Sequence, residues 1–216
     1  MGTSKKNERR LLGLDEAGRG CVLGPLVVGA YCWEGEDQAV LRAAGADDSK
    51  ALTPRRREEA LARLEGLGTG EVIEVSPAQI DAGNINALEE EAFIVFILRL
   101  QPDVVYLDAP VNPRGIPAFS RRIAARLAEG GLSPRLVIEP KADATWPVVG
   151  AASIFAKVRR DAAITALGEV GSGYPSDPVT RRWIQGFFER GEALPPSVRS
   201  RWGTIADLRQ QGLFGA

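Results

Sequence analysis

Histidine is absent from all 216 residues, and this removes the Ser-His-Asp and Cys-His relays and every His-ligated zinc centre. Any hydrolysis by this chain must run on carboxylates and metal ions. Cysteine is scarce: Cys21 and Cys32 are the only two, and in a reducing compartment they are expected as small buried residues rather than as a disulfide. Long apolar runs are missing. No uncharged stretch approaches the ~20 residues that cross a bilayer, and the opening MGTSKKNERR has positive charge without an apolar signal region behind it. A cytoplasmic protein is therefore the expectation. No sign of charge dominates either, since 27 Lys and Arg face 28 Asp and Glu for a formal net charge of −1. That sum gives no global mark of nucleic-acid binding, yet basic groups cluster at Lys5 to Arg10, at Lys50 with Arg55 to Arg57, and at Lys157 with Arg159 and Arg160. Internal repeats and low-complexity linkers are also lacking.

What is present is the balance of an ordinary globular chain, 44% hydrophobic and 25% charged, enough for one domain or for a core with a small appendage. Leu11 to Asp15 and Leu26 to Trp33 read as strands joined by a tight Gly-rich turn, hence as an antiparallel pair. Thr53 followed by Pro54 has the form of a helix start, and Glu71 to Val75 that of a third strand. From Asn86 a helix is expected with Leu88, Ala92, Val95 and Phe96 on its apolar stripe, and with Glu89, Glu90 and Glu91 in its first turns as acids favoured by the macrodipole. The run DVVYLDAP, from Asp103 to Pro110, fits a buried parallel strand ending at Asp108. A helix over Ser120 to Glu129 then crosses to a strand over Arg135 to Ile138, a β-α-β unit of the kind that places ligands at strand carboxyl ends. The loop EPKAD carries Asp143 ahead of a long helix starting near Pro147. There Val148, Ala151, Ala152, Phe155 and Val158 form the packed stripe, and Lys157, Arg160 and Asp161 another face. Further helical regions follow Asp177-Pro178 and Pro195-Pro196, so the residues beyond about Gly171 read as a helical lobe packed on the core.

The chemistry concentrates in LLGLDEAGRG, where an apolar strand delivers Asp15 and Glu16 into a Gly18-Arg19-Gly20 turn. Such a pair suits hard divalent cations, and the turn lets backbone N–H groups and a guanidinium approach an anion. An Asp-Glu pair at a strand end is often only a solvated turn. Here, however, Asp108 and Asp143 also stand where strands meet loops, and convergence of the segments would make a four-carboxylate site. Two divalent ions ~3.5–4 Å apart at such a site can activate water and stabilise a leaving oxygen without a protein base.

These motifs resemble the ribonuclease HII (type 2 ribonuclease H) family over almost the whole chain: GLDEAGRG with GPLVV, DDSKALTPRRRE, NINALE, DVVYLDA, KADATWPVVGAASIFAKVRRD and GSGYPSDP, in the family's order. The last two look closest to the archaeal and eukaryotic branch, and the Gly-Arg-Gly triplet argues against the type 3 relatives. The resemblance implies an α/β, RNase H-like mixed sheet flanked by helices, with a catalytic core over residues 1–170 and a C-terminal helical lobe over 171–216. It implies an endonuclease cutting the phosphodiester 5′ of a ribonucleotide in DNA or in an RNA–DNA hybrid, leaving 3′-hydroxyl and 5′-phosphate ends, with Mg²⁺ or Mn²⁺ as cofactor. Metal-binding catalytic acids fall on Asp15, Glu16, Asp108 and Asp143, with Asp161 as the other candidate for a fourth acid. The ribonucleotide sensor falls on Gly18, Arg19, Gly20 and Tyr174, a backbone-phosphate contact on Ser49 and Lys50, and Lys141 beside the scissile bond. Cys21 departs from the proline that often follows the triplet.

A different nuclease of the same superfold, such as a junction resolvase that ignores ribose, and a catalytically silent nucleic-acid-binding subunit are the alternatives. The complete acids argue against the second and the Gly-Arg-Gly with Tyr174 against the first. The tail LRQQGLFGA places Gln210, Leu213 and Phe214 in a spacing that resembles the short peptide by which bacterial replication proteins dock on the sliding clamp, with Gly212 breaking the helix before them. The alternative is that Leu213 and Phe214 fold back on the lobe. Activity as a monomer is expected.

Overall fold

The computed structural model describes residues 9–35, 37–46 and 52–214, with 211–214 as backbone only. The chain runs β1 (Arg10–Ala17), β2 (Leu26–Glu34), α1 (Ala39–Ala43), α2 (Pro54–Glu65), β3 (Thr69–Val75), α3 (Pro77–Ala82), α4 (Ile85–Leu100), β4 (Val104–Asp108), α5 (Ile116–Glu129), β5 (Arg135–Glu139), α6 (Ala142–Thr145), α7 (Pro147–Thr165), α8 (Pro178–Glu189) and α9 (Gly203–Phe214). The five strands form one mixed sheet in the order β3-β2-β1-β4-β5. β1, β2 and β3 pair antiparallel, while β4 and β5 extend the sheet parallel to β1.

Register decides where the acids go. Leu14 lies opposite Leu107 in the parallel β1–β4 pair, so the following residues, Asp15 and Asp108, leave the carboxyl ends of adjacent central strands side by side. Period-2 alternation sends Leu12 and Leu14 to one face, where they meet Phe93, Phe96, Phe119 and Ile123 of α4 and α5. The other face carries α7, and two glycines let it come unusually close. A Cβ on Gly13 would stand 2.0 Å from the Val148 carbonyl oxygen, and one on Gly29 2.2 Å from that of Ala152. That approach brings Ser153 and Lys157 of α7 down to the end of β1. A third apolar cluster joins Val22 and Leu23 of the β1–β2 connection to Ile164, Ile184, Val198, Ile205 and Leu208, seating α8 and α9 beside the strand ends.

Several local expectations shift. α4 starts at Ile85 because Asn84 is its N-cap, its side-chain oxygen accepting from the N–H groups of Asn86 and Ala87 at 2.9 and 3.3 Å. The three glutamates therefore lie beyond the first turn and make ion pairs instead: Glu90 meets Arg122 and Glu91 meets Arg126 of α5, while Glu89 is fully buried. Val95 faces outward at 39% exposure, one position off the packed stripe formed by Ala92, Phe93, Phe96 and Ile97. α5 begins a turn before Ser120, at Ile116, and Asp143 stands in the short helix α6 rather than in a loop. The helices α1 and α3 were not expected; α3 is set by a reciprocal Ser76–Gln79 capping box. The second C-terminal helix, α9, starts only at Gly203 rather than directly after Pro195-Pro196 and continues through Gly212, which does not break it. Cys21 is buried, Cys32 half-buried, and both are free. Among the described residues no helix is long and apolar enough to cross a membrane.

Candidate active site

Three carboxylates meet at the carboxyl end of the sheet. Asp15 ends the apolar run of β1, Asp108 ends β4, and Asp143 projects from α6, which is tied to β4 by the Ala142 N–H donating to Asp108 Oδ1 at 3.1 Å. One oxygen from each lies within 4.8 Å of the others, and Asp15 and Asp143 are buried. Such packing of like charge is unfavourable without a counter-cation. The Asp15 carboxyl is accordingly driven well above the usual range, first by burial and then by the charges of Glu16 and Asp108, against a hydrogen bond from Ser153 and the positive field of Lys157. Glu16 is raised by burial and by Asp108, with Arg19 opposing. Glu16 lines the same cavity as Asp15 and Asp108 but stands outside the close trio. An all-oxygen donor set in a tight cluster, two of its three carboxylates buried, fits a hard divalent ion.

The Gly18–Gly20 turn forms the adjoining wall. Gly18 has φ +82, and a Cβ there would meet the Pro25 carbonyl oxygen at 2.8 Å, so the turn requires glycine. The Arg19 guanidinium does not reach toward an anion in the cavity; it is hydrogen-bonded to Glu89 and Asn86 of α4. A fully buried carboxylate needs such a partner, which is why the side chain turns that way. Tyr174 lies across the turn: a Cβ on Gly20 would sit 3.7 Å from its Cε1, the Arg160 guanidinium is 5.4 Å from its ring centre, and its hydroxyl hydrogen-bonds the Cys21 sulfur.

The cavity, about 190 Å³, is lined by the turn, Asp15, Glu16, Asp108, Lys157, Arg160 and Tyr174. Lys157 and Arg160, read from sequence only as a basic face of α7, are thus site residues, and the four-residue step from Ser153 to Lys157 is the signal that could have placed them. Asp161 is engaged by Arg57 at 2.7 Å and Arg160 at 3.0 Å, apart from the acid trio. It borders a wider groove of about 750 Å³ that shares Arg160 and Tyr174 with the acid cavity. Lys141 is exposed, in a left-handed conformation (φ 58) at the start of α6, and does not line the cavity. Ser49 and Lys50 lie outside the described residues. Glu89 and Arg199, both buried and both bound to the turn, had no local sequence signature.

Comparison with known proteins agrees with this geometry. Residues 12–205 match the family model described as Ribonuclease HII. The chain is 42% identical over 210 residues to the Ribonuclease HII of Archaeoglobus fulgidus, covering 93% of this chain and 97% of that one. The crystal structure of the ribonuclease H2 from Pyrococcus horikoshii superposes with a TM-score of 0.82 at 38% identity, covering 95% of this chain and 99% of that one. The structure of the PCNA:RNase HII complex from Archaeoglobus fulgidus gives 0.81 at 42% identity, covering 93% and 97%.

Proposed function

Because this chain belongs to the ribonuclease HII family of endoribonucleases acting on RNA–DNA hybrids, we propose that it hydrolyses the phosphodiester on the 5′ side of a ribonucleotide, embedded in duplex DNA or in a hybrid, leaving 3′-hydroxyl and 5′-phosphate ends. The observation that carries this reading is the close Asp15–Asp108–Asp143 trio, with Asp15 and Asp143 buried, set beside the Gly18–Gly20 turn and Tyr174. Cleavage chemistry and a sugar-reading wall share one cavity.

Asp15, Asp108 and Asp143, with Glu16 at the margin, are the residues that would hold divalent metal. Mg²⁺ or Mn²⁺ bound there, as a pair, would supply a water of lowered pKa and charge stabilisation for the leaving oxygen, which answers the absence of histidine. The chain's own groups do the rest. Ser153 orients the Asp15 carboxylate by hydrogen bonding, and Lys157 biases it toward the charged form. N–H groups of the turn meet the 2′-hydroxyl, which only a ribonucleotide carries, and the Tyr174 ring packs against its sugar. Arg160 stands where it can meet a phosphate at the junction of cavity and groove. Ser49 and Lys50 contact the phosphate backbone, Lys141 stands beside the scissile bond, and the enzyme acts as a monomer. The test is product analysis on a duplex with one ribonucleotide, in Mg²⁺ and in Mn²⁺. A nick 5′ of the ribonucleotide whose 3′ end a polymerase extends supports the proposal; a nick on its 3′ side, or ends that cannot be extended, refutes it.

A sliding-clamp partner is the second reading. The Archaeoglobus fulgidus relative was solved in complex with PCNA, and here Gln210, Leu213 and Phe214 occupy the end of α9 with Gln210 exposed. Docking would direct the nuclease to newly replicated DNA, in the cytoplasm where replication runs. Titration of the host clamp with wild type and a Leu213→Ala, Phe214→Ala double mutant tests it: binding lost in the mutant with cleavage unchanged supports docking, and no binding by wild type excludes it.

A further inference from the structure

The Gly18–Gly20 turn is held from beneath by one residue of the C-terminal segment. Arg199 is fully buried, and its guanidinium donates to three backbone carbonyls: Nη2 to Gly18 at 2.7 Å, Nη1 to Arg19 at 3.0 Å and Nε to Gly24 at 3.1 Å. The segment that carries it is stitched to the same connection. The Arg199 N–H donates to the Val22 carbonyl at 2.9 Å, Leu23 bridges to Val198, and the Gly24 N–H donates to the Ser197 carbonyl at 2.8 Å. Val22 N–H meanwhile donates to the Gly173 carbonyl at 2.8 Å, which fixes the loop bearing Tyr174 to the same strip of chain. Burying a cation whose hydrogen bonds all go to main-chain carbonyls is an expensive way to fill space, which an apolar side chain would do more cheaply. What the guanidinium supplies that an apolar side chain cannot is a fixed direction for peptide groups.

No peptide bond among the described residues is cis, and in a planar trans peptide the C=O of one residue and the N–H of the next point in opposite directions. With the Gly18 carbonyl turned onto Arg199, the Arg19 N–H points away from it. With the Arg19 carbonyl turned the same way, so does the Gly20 N–H. Gly18, Arg19 and Gly20 line the acid cavity, and Arg199 does not. We propose that Arg199 is a positioning residue for ribose selection: by holding the Gly18 and Arg19 carbonyls it aims the Arg19 and Gly20 N–H groups at the sugar edge of the ribonucleotide. This rests on the reading of the site as a ribonucleotide-dependent nuclease. Arg199 touches no reacting atom, and its effect is on which sugar is accepted rather than on metal binding.

Two variants separate positioning from plain stability. Arg199→Lys keeps the charge but cannot serve three diverging carbonyls. Asp81→Asn loosens the same segment from outside, since Asp81 accepts from the Ser200 N–H and hydroxyl, both at 2.7 Å, and never meets the turn. Single-turnover cleavage is measured on two duplexes that differ only in ribose or deoxyribose at one position, beside duplex affinity and Tm. Arg199→Lys is expected to lower the ribonucleotide rate by at least about tenfold, the size of one misdirected hydrogen bond, with affinity changed less than about twofold. Asp81→Asn is expected to lose Tm without that loss of rate. If both variants lose rate in proportion to Tm, or if Arg199→Lys cleaves the ribonucleotide duplex like wild type, the inference is overturned. Should Arg199→Lys not fold, amide NMR on wild type decides: the Arg19 and Gly20 N–H signals must shift on adding the ribonucleotide duplex and not on adding its all-DNA counterpart, in Ca²⁺ to hold the substrate uncut. Equal shifts, or none, overturn it. Failure of wild type to cleave either duplex would instead sink the underlying functional reading.

Discussion

Replacing Asp108 by Asn separates the site's chemistry from its stability with opposite signs. The exchange keeps side-chain volume and keeps an oxygen able to accept from the Ala142 N–H, so the link between β4 and α6 survives. What it removes is one of three charges whose oxygens lie within 4.8 Å of one another. Two unit charges at about 4.8 Å repel by roughly 3.5 kcal/mol at an effective dielectric of about 20. Part of that is already relieved because the Asp15 carboxyl is driven upward and binds a proton readily, which leaves about 1–2 kcal/mol. In EDTA the variant should therefore melt higher than wild type, by roughly 2–8 °C at about 2–4 °C per kcal/mol for a chain of this length. In millimolar Mg²⁺ the order should reverse, because wild type gains the ligand's stabilisation and the variant does not. Cleavage should fall by about three orders of magnitude or more, some 4 kcal/mol of transition-state stabilisation. Scanning calorimetry with and without metal, beside a cleavage assay, reads all three. A variant that melts lower in EDTA, or that cleaves within about tenfold of wild type, would show that Asp108 is not one of a set of mutually repelling metal ligands.

Arg19→Met strands the buried Glu89 and should lose about 3–5 kcal/mol in urea unfolding, most of it restored in the Arg19→Met, Glu89→Gln double variant; full additivity of the two changes would mean the pair is not coupled. The Ser172 hydroxyl first, and then the N–H groups of Ser172 and Val179, hydrogen-bond Asp177 and hold its carboxyl down at about 2 against the ordinary 3.8. A depressed folded-state value adds stability above about pH 3.8 that is lost as pH falls toward 2, so Asp177→Asn should flatten acid unfolding in that window and leave neutral-pH behaviour nearly unchanged in slope; an unchanged acid profile would refute the assignment. Tyr174→Ala should reduce the preference for a ribonucleotide more than it reduces duplex affinity, because the ring stands beside Gly20 in the wall of the acid cavity; equal losses on ribonucleotide and all-DNA duplexes would make it an ordinary backbone contact.

The acids were legible in the sequence because each sits at an abrupt change of local pattern: an apolar strand ending in Asp15, another ending in Asp108, and Asp143 just ahead of Pro147. Period-2 alternation and turn chemistry are local properties, and they placed β1, β2, β4 and β5 close to their final bounds. What stayed illegible depends on partners far along the chain. Glu89 looked like one more acid near a helix start, and only the Asn84 cap and the approach of Arg19 turn it into a buried ion-pair partner. Arg199 sits about 180 positions from the carbonyls it binds, in a stretch with no motif. In the sequence Lys157 and Arg160 read only as charge on a helix face, but the sheet glycines Gly13 and Gly29 decide how near that helix comes to the acids.

On the proposed function, ribose, and not duplex shape alone, opens this site to cleavage. The direct measurement is single-turnover hydrolysis by the wild-type chain of one labelled duplex in two versions, identical except for a 2′-hydroxyl at one internal position, with Mg²⁺ or Mn²⁺ and with EDTA as control. One cut is expected, at the 5′ side of the ribonucleotide and dependent on metal, with no detectable cut in the all-DNA version. Comparable cleavage of both versions, or cleavage that survives EDTA, would contradict it.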